Sequence, residues 1–176
     1  MIDFSRNHFE LFGLPASFAI DVAVLDRAWR DLQAEVHPDR HATADDASRR
    51  LALQASARVN EAYRSLKDPV ERGRYLLHLR GIDAFDETDT RLPLEFLEAQ
   101  LERRERAAAA ADAGDVEALD DIVADIRAEA RERERDLAAL LGQPGDGARA
   151  TAVLRELRFL AKVAEDVGAM AEALDA

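Results

Sequence analysis

Apolar residues recur at helical spacing through most of this chain. Leu25, Ala28, Trp29, Leu32 and Val36 follow i, i+3, i+4, i+7 and i+11, one face of a helix that opens at Asp21, a good N-cap residue. Arg27, Arg30, Asp31 and Glu35 fall off that face. A second stripe of Leu51, Ala55, Val59, Ala62, Tyr63 and Leu66 predicts a longer helix from about Asp45 to Leu66. The two stripes pack antiparallel across the short segment between them. Upstream, His8 to Phe12 reads as a short apolar helix stopped at Gly13, with Pro15 barring its extension. Asp68-Pro69 joins an N-cap to proline at the first helical position and opens a helix carrying Tyr75, Leu76 and Leu79 that ends at Gly81.

The stretch from Ile82 to Arg91 has no period and carries Asp83, Asp86, Glu87 and Asp89. It reads as a linker, giving an organisation of residues 1–82, a linker at 83–92 and residues 93–176. Beyond it, Pro93 to Ala113 predicts a helix ending in an alanine run and a Gly114 C-cap. Asp115 caps the next, with stripe Leu119, Ile122, Val123, Ile126, Ala130, Leu137, Leu140 and Leu141. A glycine-rich loop over 142–147 leads to the last helix. There Val153, Leu157, Leu160, Ala164, Val167, Ala171 and Leu174 form a heptad seam, which implies a three-helix bundle. No segment alternates as a strand does, so the expected fold is all-α.

Two surface features follow from these helices. With the heptad seam as core, Phe159 lies two residues past a core position, roughly 200° round the helix, and points away from the bundle. On the helix from Pro93, either Leu97 and Leu101 face the core, or Phe96 with Ala99, Arg103 and Ala107 does. The pattern fits both.

Charge sharpens the division. Residues 1–80 hold 12 basic and 12 acidic side chains, whereas 81–176 hold 12 and 24, the whole net charge of -12. Two parts with different surfaces are expected, and without a basic stripe nucleic acid is not an expected partner. There is no cysteine, which excludes disulfides, thiolate nucleophiles and cysteine metal sites. No apolar run approaches the ~20 residues of a membrane span, so a cytoplasmic protein without a membrane partner is expected. Runs such as Arg131 to Arg135 read as a solvated helix face.

The segment Val36-His37-Pro38-Asp39-Arg40 stands between the first two stripes and cannot continue the helix. Pro38 lacks an N–H and disfavours the α conformation at His37. A stiff loop then presents an imidazole and a carboxylate two residues apart. Four roles compete: a plain helix stop, acid–base catalysis by His37 and Asp39, a metal site of His37, Asp39 and His41, with Asp45 or Asp46 as a further ligand, in a metal-dependent hydrolase, or recognition of a partner. Catalysis lacks a nucleophile motif, a phosphate loop or a second cluster. The metal site lacks a second shell.

Recognition gains from a resemblance. The His37-Pro38-Asp39 loop within a helical hairpin, Asn60-Glu61-Ala62-Tyr63-Arg64-Ser65-Leu66, and Asp68-Pro69 followed by Arg72 and Tyr75 resemble the J-domains of DnaJ-type co-chaperones. Phe9-Glu10-Leu11-Phe12-Gly13-Leu14-Pro15, Tyr75-Leu76-Leu77 and Leu157-Arg158-Phe159-Leu160 narrow this to the HscB-type co-chaperones of iron–sulfur cluster assembly. The resemblance implies an N-terminal J-domain followed by a three-helix domain, no enzymatic activity and no cofactor. It implies a DnaK-type chaperone ATPase, HscA, as one partner, stimulated through His37, Pro38 and Asp39. The cluster scaffold IscU is the other, bound at Leu97, Leu101, Glu102, Glu105 and Phe159. In that setting Asp39 suits a charge-assisted pair with an arginine, Pro38 limits the entropy lost on docking, and Arg27, Arg30 and Arg40 add electrostatic complementarity. A J-domain co-chaperone for another client is the alternative within the class. Departures are Val36 where the family often has tyrosine, a net charge of −2 over Asp21 to Val36, and Glu98 at a position that is apolar in the family. Neither an N-terminal tetracysteine segment nor an organelle presequence is present, so a bacterial-type member is expected.

Overall fold

The computed structural model describes residues 3–37, 45–86 and 91–174. Among these, the regular elements are all helices: α1 (His8–Leu11), α2 (Val22–Val36), α3 (Asp46–Lys67), α4 (Pro69–Leu79), α5 (Leu94–Ala113), α6 (Val116–Leu141) and α7 (Gly147–Leu174). The all-α expectation holds. Local chemistry sets the helix starts. Carboxylates of Asp21, Asp45, Asp68 and Asp115 accept from the N–H groups of Ala23, Ser48, Glu71 and Ala118, satisfying donors that a first turn leaves open. Asn7 and Glu10 close a reciprocal capping box around α1. Gly114, at φ +69°, ends α5 in the left-handed conformation that a side chain would oppose.

The chain forms two compact units, Met1–Leu76 and Leu77–Ala176. In the first, α2 and α3 pack as a hairpin and α1 lies against α3. Phe9, Phe12, Phe18, Leu25, Val36, Val59, Leu66 and Leu76 are buried in this unit. The α3 stripe is shifted from its expected line: Ala52, Ala55, Ser56, Val59, Ala62 and Leu66 are buried, while Leu51 is exposed. Small side chains on this line let α2 approach closely, and Leu51 lies about 100° off it. Leu79, expected on the apolar face of α4, is also exposed, with Leu76 and Leu77 buried instead.

In the second unit α6 and α7 form a long hairpin and α5 packs on both. Leu119, Ile122, Val123, Ile126, Leu137 and Leu141 line α6 as expected, with Ala130 and Leu140 half-buried. On α7 the heptad seam is only partly realised. Ala150, Leu154, Leu157, Leu160, Val163, Val167 and Ala171 are buried, Val153 and Ala164 are half-buried, and Leu174 is exposed. A helix that touches two neighbours buries a wider stripe than a two-stranded seam, and the stripe follows the 3.6-residue period. Within this unit the segment ahead of α5 is pinned to α7: the Arg155 guanidinium donates to the Ala84 carbonyl at 3.0 Å, and Arg158 lies over the Phe85 ring.

Candidate functional site

Two surfaces carry the residues singled out by the sequence, one on each unit. The first is the end of the α2–α3 hairpin. Helix α2 stops at Val36, and His37 takes an extended ψ of 129°, as a residue before proline should. His37 is exposed, and Arg27 and Arg30 are exposed on the outer side of α2. Pro38, Asp39, Arg40 and His41 lie outside the described residues. So Asp39 and His41 of the metal reading lie outside them, while His37, Asp45 and Asp46 lie within. Among the described residues no group of three or more histidine and acidic side chains could hold a metal.

What makes the hairpin a firm base is a row of polar contacts along its seam. The Trp29 and Tyr63 rings stack with centroids 4.6 Å apart. The Trp29 indole N–H donates to Asn60 Oδ1 at 3.0 Å, and Gln33 Nε2 donates to Ser56 Oγ at 3.1 Å. Tyr63 Oη donates to Asp26 at 2.9 Å and accepts from Lys67. The Tyr63 hydroxyl, and then Lys67, hold the Asp26 carboxyl below the ordinary carboxylate range. Asn60 and Tyr63 of the resembling motif are therefore cross-helix clamps. Arg72 has a similar duty: buried, it donates to the Leu66 carbonyl at 2.6 Å and lies over the Phe18 ring. It ties the end of α3 to α4 and to the loop before α2. Asn60→Ala should leave the half-buried indole N–H without its acceptor. The expected cost is about 1–2 kcal/mol, read by thermal unfolding with a shift in Trp29 emission.

The second surface is α5 with the neighbouring part of α7. Of the two orientations open to α5, the structure has Phe96 inside, with Gln100, Ala107 and Ala110, and Arg103 half-buried. Ala99, expected inside in that orientation, is exposed, and the almost fully buried Gln100 stands in the core instead. Leu97, Leu101, Glu102 and Glu105 all face solvent. Arg103 fixes this orientation: it donates to Gln100 Oε1 at 2.7 Å and pairs with Glu129 of α6 at 2.9 Å. Arg133 joins Glu129 to Glu156 of α7, the latter at 2.6 Å. This network links all three helices of the unit, and the sequence reading missed it. Its signal was a glutamine and an arginine on an otherwise apolar line, Phe96, Gln100, Arg103, Ala107.

Phe159 corrects an expectation. It does not point away from the bundle but is half-buried where α5 meets α7. Its ring sits edge-on to Phe96, centroids 5.7 Å apart, beneath the Arg104 guanidinium at 5.4 Å. The wider buried stripe of α7 turns this position toward α5. Arg104 also reaches Asp166 at 3.8 Å. The five residues thus lie on α5 and in its groove with α7: an apolar ring in the groove, two exposed leucines on the helix, and two glutamates beside them. No helix among the described residues is long and apolar enough to cross a membrane.

Comparison with known proteins agrees with this geometry. Residues 92–168 match the family model described as the HSCB C-terminal oligomerisation domain. A co-chaperone protein HscB homolog of Ralstonia nicotianae is 49% identical over 171 residues, covering 97% of this chain and 96% of the relative. One from Burkholderia multivorans is 48% identical over 175 residues, covering 99% of each. Among solved structures, the chaperone HscB from Vibrio cholerae superposes with a TM-score of 0.85 at 36% identity, over 96% of this chain and 99% of that one. The human co-chaperone HscB superposes with a TM-score of 0.84 at 29% identity, over 94% and 82%. With its N-terminal J-domain and C-terminal helical domain, the chain belongs to the HscB family of co-chaperones.

Proposed function

We propose that this chain binds the iron–sulfur cluster scaffold IscU through its second unit and presents it to the DnaK-type chaperone HscA, whose ATP hydrolysis it stimulates through its first. The observation that carries this reading is the pairing of Leu97 and Leu101, exposed on a helix whose core face is already filled, with Phe159 in the adjoining groove and Glu102 and Glu105 alongside. Exposed apolar residues in register on one rigid helix suit a protein partner better than a small molecule. On the other unit, His37, Pro38 and Asp39 act as the stimulating residues, with Arg27, Arg30 and Arg40 adding electrostatic complementarity toward the ATPase. Residues 1–82 are the J-domain in this reading, 83–92 the linker and 93–176 the scaffold-binding domain, working in the cytoplasm. The chain contributes no chemistry of its own. It couples cargo arrival to hydrolysis by its partner.

The test is a single-turnover ATPase assay with HscA, adding the full chain with and without IscU. Hydrolysis should rise with the chain and rise further with both. No acceleration by the chain would overturn the reading. By calorimetry, Phe159→Ala is expected to weaken IscU binding about tenfold, the loss of one well-packed aromatic anchor, and Glu102→Ala by a few-fold. Unchanged affinity in both would remove this surface from the scaffold site.

A further inference from the structure

Leu94 is the most exposed of the large apolar side chains among the described residues, at 70%. It is the first residue of α5 and stands seven positions before Leu101. On an α-helix the two lie about 20° apart in direction and about 10 Å apart along the axis. Both point opposite the buried line of Phe96, Gln100, Ala107 and Ala110. Leu97, about 60° round toward the Phe159 groove, completes a row of three. A single surface leucine is ordinary, but three in register on one face, next to a half-buried phenylalanine, form a patch.

The charges around this row tell what kind of surface it meets. Glu95, Glu98, Glu102 and Glu105 are exposed and, among the described residues, make no ion pair or hydrogen bond through their carboxylates. The neighbouring arginines are turned away: Arg103 to Gln100 and Glu129, and Arg104 to Asp166 and the Phe159 ring. Arg106 lies roughly 120° round the helix from Leu94. The row is therefore apolar in the middle and negative along its flank. An acidic or phosphate-rich partner is repelled. A second copy of this chain packing this same face would set like carboxylates against one another.

We infer that Leu94 is a further partner-contacting residue, so that the docking face starts a turn before Leu97 and receives a segment with apolar side chains flanked by lysine or arginine. The inference rests on the scaffold-binding reading and adds to it the chemistry of the segment received. Glu98, which interrupts the apolar row one turn after Leu94, then meets a basic side chain, and Leu94 supplies the apolar area that position 98 does not.

Calorimetric titration of the full chain with IscU tests this, using Leu94→Ser, Leu94→Met, Glu98→Gln and Phe159→Ala at low and high salt. Leu94→Ser should raise Kd about fivefold to tenfold, while Leu94→Met, which keeps the apolar volume, stays within about twofold. Glu98→Gln should raise Kd about threefold at low salt and lose its effect at high salt, where a surface charge pair is screened. If Phe159→Ala weakens binding and Leu94→Ser does not, this inference fails and the scaffold-binding reading stands. If none of the variants alters affinity, the reading itself fails. A mass in sedimentation that rises with concentration in the parent and not in Leu94→Ser would assign the row to self-association and overturn the inference.

Discussion

His37→Gln is expected to return the ATPase rate of the chaperone to its unstimulated value, while the variant chain keeps its fold and its affinity for the scaffold. The contrast follows from where the imidazole stands. It caps the exposed end of α2, one residue beyond the buried Val36. The hairpin beneath is fixed by the Trp29–Tyr63 stack, the Trp29–Asn60 bond and the Gln33–Ser56 bond, all set further along the seam. Replacing an exposed side chain at a helix end changes stability by about 0.5 kcal/mol or less, a shift of a degree or two in Tm for a chain of this size. Trp29, the only tryptophan, reports the hairpin directly, and its emission should not move. Glutamine keeps hydrogen-bonding capacity but loses the aromatic ring, so complete loss of stimulation points to imidazole-specific docking. The proposed scaffold surface belongs to the other unit, and IscU affinity is expected to match the parent. Retained stimulation would reject the mechanism. Loss of both stimulation and scaffold binding would show that the variant has damaged the fold.

Much of this architecture is legible in the sequence because local chemistry and periodicity agree. Asp21, Asp45, Asp68 and Asp115 each stand where an N-cap is needed, and the structure uses all four. Pro38 predicts the end of α2, which stops at Val36. What periodicity does not resolve is rotation about a helix axis. On α5, two apolar lines compete, one through Leu97 and Leu101 and one through Phe96 and Ala107, and a count of apolar residues does not separate them. The residues that decide are polar. Gln100 is buried and Arg103 turns inward because Glu129 on α6 and Glu156 on α7, bridged by Arg133, supply the facing charges. Those partners lie 26 to 53 positions away in sequence, beyond any local pattern. Phe159 departs from expectation for a related reason: a heptad seam marks one narrow line of contact, and α7, packed against both α5 and α6, buries a wider stripe.

The polar network also bears on why Leu97 and Leu101, the centre of the proposed docking face, stay exposed. A half-buried pair such as Arg103–Glu129 adds little net stability over apolar residues of similar size, because desolvation offsets much of the attraction. It does penalise the alternative rotation of α5, which would leave Glu129 without Arg103 and bring Glu98 and Glu105 toward the core. The network thus selects the orientation in which the leucines stay outside.

Acid should weaken the first unit through His8, and His8→Phe should remove most of that sensitivity. His8 is 5% exposed and stacks flat on Tyr75 at 4.0 Å, while its backbone N–H donates to Tyr75 Oη at 3.0 Å. Its Nδ1 is buried with no hydrogen-bond partner. Burial disfavours the charged ring, Arg58 nearby adds repulsion, Glu61 opposes both weakly, and the pKa falls from 6.5 to about 4. The sign follows from proton counting. Between pH 6.5 and about 4 the unfolded chain takes up a proton that the folded chain refuses, so stability is full above 6.5 and declines as pH drops. Across that window the loss approaches about 3 kcal/mol, at most about 1.4 kcal/mol for each pH unit. Carboxylates held low, such as Asp26 and Asp45, also release stability on acidification, but below 3.8, the ordinary value for an aspartate. They are common to parent and variant and cancel in the difference. Denaturant unfolding of both proteins from pH 7.5 to 4.5, followed at Trp29, should give curves that agree near neutrality in slope and diverge below 6.5, the parent losing stability while His8→Phe, with a ring that fills the same stack, stays nearly level. Parallel curves throughout would show that the buried imidazole takes up its proton in the folded state as readily as in the unfolded one.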